Sequence, residues 1–333
     1  MNANHAHRKT NGSILPCLLT ALALTGTLLV GCSSKQSEKQ EGQITVGFSQ
    51  IGAESGWRTA NTQSIKSEAE KRGVDLRFSD AQGKQENQIR AIRTFIQQKV
   101  DVIAFSPVVE TGWQPVLEEA KRAGIPVFLT DRAVDVTDDS LYVSFIGSDF
   151  IEEGRRAGEW LAKKMDGKAK IAELQGTTGS APAIDRKKGF EAFIADYPEM
   201  TIIKSQSGDF TRAKGKEVFE AFLRSPEGSE INALYAHNDD MALGAIQAIE
   251  EAGKKPGTDI VIVSIDGVHD AFQAILDGKL NCTVECNPLI GPQVFDAVEK
   301  YLAGEELPKR IQIEEGVFDE NIVTQEVLDK RQY

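Results

Sequence analysis

The residues best suited to chemistry in this 333-residue chain are polar side chains that follow short apolar runs. Carboxylates and amides exchange paired hydrogen bonds with neighbouring hydroxyl groups, and an arginine fork bridges two oxygens at once. Aromatic faces cover the C–H side of a ring, and Trp57, Phe105, Trp113 and Phe210 are available. This combination favours a small, flat, hydroxyl-rich ligand in a buried cleft. The candidate residues are Gln50, Glu54, Trp57, Arg58, Ser106, Asp131, Arg132, Arg186, Asn238 and Asp266.

Each candidate also has an interpretation that involves no ligand. Asp131 and Arg132 can form a local ion pair at a strand end, and Asn238 before a helix is a favourable N-cap. Asp266 followed by glycine can be a simple turn, and Trp57 can pack in the core. Taken singly, these alternatives stay open. The ligand interpretation is favoured because the candidates collect at the same end of the predicted strands.

The elements that must position these side chains alternate between strand and helix along the chain. Ile44–Ser49 is a predicted strand, and Glu54–Gly73 is a predicted helix that ends at a glycine. A later helix is predicted over Glu110–Ala123. The strands are short and almost continuously apolar, which is typical of parallel sheets covered by helices on both faces. Right-handed crossovers then predict two doubly wound α/β units, with a break near Gly147.

Composition and missing motifs exclude several classes of function. The formal net charge of −12 disfavours nucleic acid as a partner. The sequence has no Gly-x-Ser-x-Gly elbow, no Walker loop and no histidine spacing typical of a metal site. Cys282 and Cys286 lie four residues apart in a strand-like segment, too far for a disulfide, so both are expected to be reduced. We therefore expect no enzymatic activity, no cofactor and no bound metal.

The beginning of the sequence has the pattern of a lipoprotein leader. A basic pair and the apolar stretch 14–30 precede Gly31 and Cys32, and the stretch is short for a membrane span. This predicts a signal peptide at 1–31, a lipid on Cys32 and a linker over 32–42. The alternative is a signal anchor with an incidental cysteine. We expect an exported protein held by lipid at the cell membrane or envelope, in the periplasm or on the outer face of the cell membrane.

Longer strings of the sequence resemble the ribose/galactose class of type I periplasmic sugar-binding proteins, over about residues 43–330. The strings are 101–107 (DVIAFSP), 124–127 (GIPV), 185–190 (DRKKGF), 238–241 (NDDM) and 264–267 (SIDG). Within that class the chain is similar to the galactofuranose-binding branch of bacterial ABC transporters. The matching strings there are 46–50 (VGFSQ), 54–58 (ESGWR), 84–88 (KQENQ), 111–113 (TGW) and 205–211 (SQSGDFT).

The resemblance implies two doubly wound parallel-sheet domains joined by a three-strand hinge. Residues 43–147 with 287–312 would form the N-terminal domain, and residues 148–286 with 313–333 would form the C-terminal domain. By position, sugar hydroxyls would be bound by Asp131, Arg132, Arg186, Asn238 and Asp266. Trp57 and Arg58 would form the part of the pocket specific to the branch, and either Glu285 or Cys286 would face the cleft where the hinge strand returns.

The implied function is capture of a monosaccharide, galactofuranose in the first place, and its delivery to the permease of an ABC importer. Two alternatives stay open. The closed form of the same module could be presented to a membrane kinase or chemoreceptor as a sugar sensor, or the ligand could be another pentose or hexose.

Overall fold

The computed structural model describes residues 42–333, in which twelve strands and ten α-helices follow one another along the chain. The strands are β1 (Thr45–Gln50), β2 (Asp75–Asp80), β3 (Val102–Phe105), β4 (Val127–Thr130), β5 (Ser144–Gly147), β6 (Lys168–Gln175), β7 (Glu199–Ser207), β8 (Ala233–Ala236), β9 (Val261–Asp266), β10 (Cys282–Glu285), β11 (Arg310–Gln312) and β12 (Val317–Asp319). The helices are α1 (Gly56–Lys71), α2 (Gln85–Gln98), α3 (Gln114–Arg122), α4 (Phe150–Lys164), α5 (Ala181–Ile194), α6 (Arg212–Arg224), α7 (Asp239–Glu251), α8 (His269–Leu276), α9 (Gly291–Leu302) and α10 (Gln325–Asp329).

The strands form two separate six-stranded sheets. The first sheet has the order β2-β1-β3-β4-β5-β11, and every pair in it is parallel. The second has the order β7-β6-β8-β9-β10-β12, parallel except for the edge strand β12. The predicted pair of doubly wound parallel sheets is therefore confirmed. Strands β11 and β12, with three residues each, are too short to be predicted from the sequence pattern.

The residues of β3 are all apolar because alternate side chains point to two different cores. Val102 and Ala104 pack into a core that also contains Ile65 of α1 and Val294 of α9. The intervening residues of β3 face the opposite core, which is built with α2 and α3. Successive strand residues point to opposite faces, so a strand covered on both sides must be apolar throughout.

Two helices begin later than predicted. Helix α1 starts at Gly56 rather than Glu54 because the hydroxyl of Ser55 accepts the Arg58 N–H and caps the first turn. This leaves Glu54 outside the helix. Helix α3 begins at Gln114 rather than Glu110. Gly112 has φ +85°, a left-handed conformation that a continuous right-handed helix does not contain.

The chain passes between the sheets three times, after β5, after β10 and after β11. Helix α1 is fixed along one side to the segment 286–291 that follows β10. Trp57 Nε1 donates to the Cys286 carbonyl at 2.6 Å, and Asn61 Nδ2 donates to the Pro288 carbonyl at 3.0 Å. One turn further on, the backbone N–H of Gly291 donates to Ser64 Oγ at 3.0 Å. The second crossing is therefore attached to α1 by about one hydrogen bond per helical turn.

None of the helices in residues 42–333 has the length and apolar character that a membrane span requires. The predicted signal peptide, Cys32 and most of the linker lie outside the described residues.

Candidate functional site

A cavity lies between the carboxyl ends of the two sheets, as parallel strands lead one to expect. It encloses about 290 Å³ of space free of atoms, part of it open to solvent. Segments from both sheets and the second crossing contribute to its wall. The lining residues are Glu54, Ser55, Trp57, Arg58, Asp131, Arg132, Pro182, Arg186, Phe210, Asn238, Asp266 and Cys286.

Arg58 is the most tightly bound cation of the cavity. Its guanidinium pairs with Asp131 Oδ2 at 2.6 Å and with Glu54 Oε1 at 3.0 Å. Gln50 Oε1 and Ser106 Oγ accept further hydrogen bonds from Nη1 at 3.3 and 3.4 Å. Burial alone would lower the pKa of Arg58, but the two carboxylates outweigh burial and raise it. The guanidinium is thereby held by four side chains of the protein itself.

Arg132 is equally buried but held loosely. Its Nη1 reaches the Val108 carbonyl at 3.3 Å, while the nearest oxygens of Glu54 and Asp131 are 3.6 and 3.7 Å away. Its Nε is buried without a hydrogen-bond partner. Burial, followed by the neighbouring charge of Arg58, lowers the pKa of Arg132 to about 10. Arg132 therefore has unused donor capacity beside the cavity.

Arg186 of α5 supplies a third cation from the side of the second sheet. Its Nε pairs with Glu153 Oε2 of α4 at 2.7 Å, and Nη1 donates to the His237 carbonyl. Its Nη2 lies 3.7 Å from Asp266 Oδ1. Burial disfavours the charge, but Glu153 heads the anionic neighbours that outweigh burial, so the pKa of Arg186 is raised. The close pairing of α4 with α5 thus orients a cavity residue.

Two aspartates reach the cavity from strained strand ends. Asp131 follows β4 with φ +64°, and Asp266 ends β9 with φ +132°. Residues other than glycine seldom adopt positive φ, and such residues cluster at functional sites. Burial raises the pKa of Asp266 well above its usual value, although Arg186 opposes the shift. A carboxyl group that retains its proton can donate a hydrogen bond as well as accept one.

Aromatic rings border the arginines on both sides of the cavity. The Arg58 guanidinium carbon lies 4.6 Å from the Trp57 ring centre, and that of Arg132 lies 5.2 Å from the Phe210 ring. Asn238 holds the Phe210 segment, since its Nδ2 donates to the Phe210 carbonyl at 3.1 Å while its Oδ1 caps α7. The capping interpretation of Asn238 and its place in the cavity wall are thus both realised.

The structure brings eight of the eleven predicted site residues to the cavity wall, and it places three elsewhere. Gln50 and Ser106 lie behind the wall, where they contact Arg58. Glu285 points toward Arg331, at 2.8 Å from its Nη1, while its neighbour Cys286 lines the cavity. Phe105 and Trp113 pack against each other in the core, with ring centres 4.9 Å apart.

Sequence reasoning missed three cavity features. Ser55 and Pro182 line the wall but were not predicted, because each occupies an ordinary helix-start position. Glu153 holds Arg186 from the first turns of α4, and it does not itself line the cavity. A pair of adjacent glutamates at a helix start is typical of solvated surface, but Glu153 is only 2% exposed. A carboxylate on the apolar stripe of a predicted amphipathic helix was the available signal.

Beside the cavity, the described chain brings together three groups of the kind that bind metals. Carboxylate oxygens of Glu153 and Glu315 and the Cys286 sulfur lie within 4.8 Å of one another. Burial, and then the charge of Glu153, raises the pKa of Glu315 to about 9, and burial also raises that of the Cys286 thiol. Ser148 Oγ donates to Glu315, and so does the Asn287 N–H. With Arg186 already paired to Glu153, this cluster is suited to holding protons.

This fold and cavity agree with a family match: the model of the periplasmic binding protein domain covers residues 46–306. The chain therefore belongs to the periplasmic binding protein family, a family of binding proteins rather than enzymes, as the sequence strings predicted.

Among its relatives, the galactofuranose-binding protein YtfQ of Escherichia coli strain K12 is 53% identical over 290 residues, covering 86% of this chain and 91% of that protein. The arabinose-transporter binding protein of Shewanella sp. ANA-3, solved with α- and β-L-arabinofuranose, is 56% identical, with a TM-score of 0.84 over 87% of this chain and 96% of that one. A Mycobacterium smegmatis protein solved with β-D-fucofuranose is 58% identical, with a TM-score of 0.84 over 87% and 95%.

Proposed function

We propose that this protein captures a monosaccharide in its furanose form, galactofuranose in the first place, and delivers it to an ABC importer. The observation that carries the proposal is a cavity between two sheets with three buried arginines and two bordering aromatic rings. Such a wall offers paired donors and acceptors for vicinal hydroxyls and apolar faces for ring carbons.

The pairing of the charged side chains around the cavity favours an uncharged ligand. The cations Arg58 and Arg186 are each paired with carboxylates at 3.0 Å or less. A sugar phosphate or sugar acid would have to compete with those carboxylates for the same donors. A neutral polyol instead uses what remains free, above all the unpartnered Nε of Arg132 and the carboxyl group of Asp266.

The relatives support the ring form of the sugar more strongly than its identity. One is a galactofuranose-binding protein, and two were solved with L-arabinofuranose and β-D-fucofuranose. These sugars differ in their exocyclic groups but share a five-membered ring. We infer that the pocket selects that ring, and that the exocyclic arm decides among furanoses.

In this proposal the eight predicted residues of the cavity wall contact the sugar, and Gln50 and Ser106 act through Arg58. We assign 43–147 with 287–312 to one domain and 148–286 with 313–333 to the other, a division supported by the membership of the strands in the two sheets. Ligand contacts from both domains would stabilise a closed cleft, and the closed form would dock on the permease.

We also propose that the mature protein begins at Cys32 and is held at the membrane by lipid on that residue. The support is the sequence pattern around Cys32, within the exported class that the family defines. Mass spectrometry of the membrane fraction should find diacylglycerol on the Cys32 peptide. A Cys32→Ser variant should lose that mass and leave the membrane. Recovery of unmodified Cys32 from the membrane fraction would contradict the anchor.

Calorimetric titration of the chain from Ser33 onward tests the ligand. We expect tight binding of galactofuranose, and weaker or no binding of galactopyranose and ribose. Arabinose, titrated in parallel, measures how much the exocyclic arm contributes. Equal affinity for galactofuranose and galactopyranose would refute selection by ring form, and no binding of any sugar would refute the proposed function.

A further inference from the structure

Asp266 reaches the cavity from a turn that needs external support. Its own φ is +132°, and Gly267 follows with φ +78°. On one side the turn is held by Asp239, whose Oδ2 accepts the N–H groups of Gly267 and Val268 at 2.7 and 2.8 Å. These bonds fix the amide side of the turn, and they leave the carbonyl of Gly267 to be bound from elsewhere.

That carbonyl is bound by Arg331, in the segment after α10. Arg331 Nε donates to the Gly267 oxygen, and Nη1 pairs with Glu285 Oε1 at 2.8 Å. Tyr333 Oη lies 2.6 Å from Nη2 and donates to the same Glu285 oxygen at 3.0 Å. The guanidinium carbon also lies 4.5 Å from the Phe272 ring centre and 4.2 Å from that of Tyr333. Arg331 is thus held by a carboxylate, a phenol and two aromatic faces.

The position of Glu285 makes this support specific to the Asp266 turn. Glu285 pairs with Asp266 in the parallel register of β10 and β9, so its side chain starts beside that turn. The carbonyl of Tyr333 accepts the N–H of His269, the first residue of α8, at 2.6 Å. A Cβ placed on Gly267 would collide with Arg331 Nη2. The turn and the guanidinium are therefore in direct contact, with no room for a side chain between them.

We propose that Arg331 is a positioning residue for the sugar: it holds the Asp266–Gly267 turn in the strained conformation that directs Asp266 into the cavity. Glu285 and Tyr333 fix the guanidinium in place. This assignment rests on the proposed function, since it treats Asp266 as a sugar contact. Glu285 then supports the site without touching the ligand. It is hydrogen-bonded to Arg331, and Arg331 is hydrogen-bonded to the Gly267 carbonyl.

The first test measures the turn without any sugar. In an Arg331→Ala variant we expect amide hydrogen exchange at residues 267–269 to be at least about tenfold faster than in the wild type, as the loss of one buried hydrogen bond near 1.4 kcal/mol implies. Lys330→Ala is the matched control, because Lys330 is 73% exposed and pairs with Glu326 on its own helix turn. Unchanged exchange in Arg331→Ala would overturn the proposal, whatever the ligand proves to be.

The second test measures galactofuranose affinity by calorimetry in the same variants. We expect the Kd to rise about tenfold in Arg331→Ala, to recover in part in Arg331→Lys, which keeps a donor for the Gly267 carbonyl, and to stay unchanged in Lys330→Ala. In an Asp266→Asn background the Arg331→Ala effect should shrink, because both changes weaken one contact. Fully additive effects would mean a general structural role and would refute positioning.

Tyr333→Phe keeps the ring and removes the hydroxyl, so it replaces Arg331→Ala if the latter does not fold. It should raise the exchange rate and the Kd in the same direction by a smaller factor, and no change in either would overturn the proposal. Wild-type protein that binds no furanose would refute the proposed function instead. The exchange experiment would still report on the turn.

Discussion

Arg132 and Arg58 are equally buried, yet their replacement by methionine should have opposite consequences. Arg58 has four partners within 3.4 Å, whereas Arg132 has one, at 3.3 Å, and an unpartnered Nε. We therefore expect Arg132→Met to abolish most sugar binding with little loss of stability. Arg58→Met should instead lower the stability of the fold. Methionine retains much of the apolar stem in both variants.

The magnitudes follow from the same contacts. A hydrogen bond from a charged donor contributes about 1.5–3 kcal/mol, so two bonds from Arg132 to a sugar correspond to a Kd roughly 10² to 10⁴ times higher without it. Burial and the neighbouring charge of Arg58 both lower the pKa of Arg132, so its charge contributes little to the stability of the fold and little stability is lost with it. Removal of Arg58 leaves two carboxylates buried without their partner, at a cost of about 3–5 kcal/mol.

Calorimetric titration with galactofuranose gives the affinity, and urea unfolding of the ligand-free protein gives the stability. The two variants should differ in stability: Arg132→Met should keep the unfolding midpoint near the wild type, and Arg58→Met should lower it sharply. An Arg132→Met variant that binds the sugar as well as the wild type would refute the role of the free donor. Equal destabilisation by both variants would refute the contrast drawn from their contacts.

Three further predictions address the wall, the proton cluster and the helix pair. Phe210→Ala should weaken sugar binding about tenfold by removing the ring beside Arg132, while Phe210→Tyr should bind nearly as well, both measured by calorimetry. Glu315 keeps its proton in the folded state up to about pH 9 but loses it near pH 4.5 when unfolded, so native stability should fall as pH rises across that range. Glu315→Gln should flatten this slope in thermal unfolding scans. Gly154→Ala should destabilise the protein by about 1–3 kcal/mol in urea, because its Cβ would collide with the Arg186 carbonyl of α5.

Each of these predictions has a control within the chain. A Lys163→Ala variant, on the same helix as Gly154, should leave the urea midpoint almost unchanged. For the pH scans, equal slopes in the wild type and Glu315→Gln would show that this carboxyl group is not the one that titrates. A Phe210→Ala variant with wild-type affinity would remove the ring from the site.

Most of the cavity could be predicted from the sequence by one rule: ligands bind at the carboxyl ends of parallel strands. The residues that follow such strands all lie at the same edge of the sheet. This rule predicted Arg58 and Asp131 around one cleft, and the structure joins them by an ion pair at 2.6 Å. The rule could not decide between Glu285 and Cys286. These neighbours point to opposite sides of one strand, and the sequence does not state which side the cavity occupies. Glu153 was not predicted, because it does not line the cavity and acts on it through Arg186.

The series of hydrogen bonds between α1 and the segment 286–291 has a mechanical consequence. Trp57, Asn61 and Ser64 bind that segment one after another along the helix. If one sheet rotates relative to the other, we therefore expect the chain to bend on the β10 side of Cys286, where no such row of bonds holds it to α1. We expect the α1 face with Trp57 and Arg58 to stay with the segment 286–291, and the bend to lie between Glu285 and Cys286. Arg331 would then restrain this bend from the side of the second sheet, through its ion pair with Glu285.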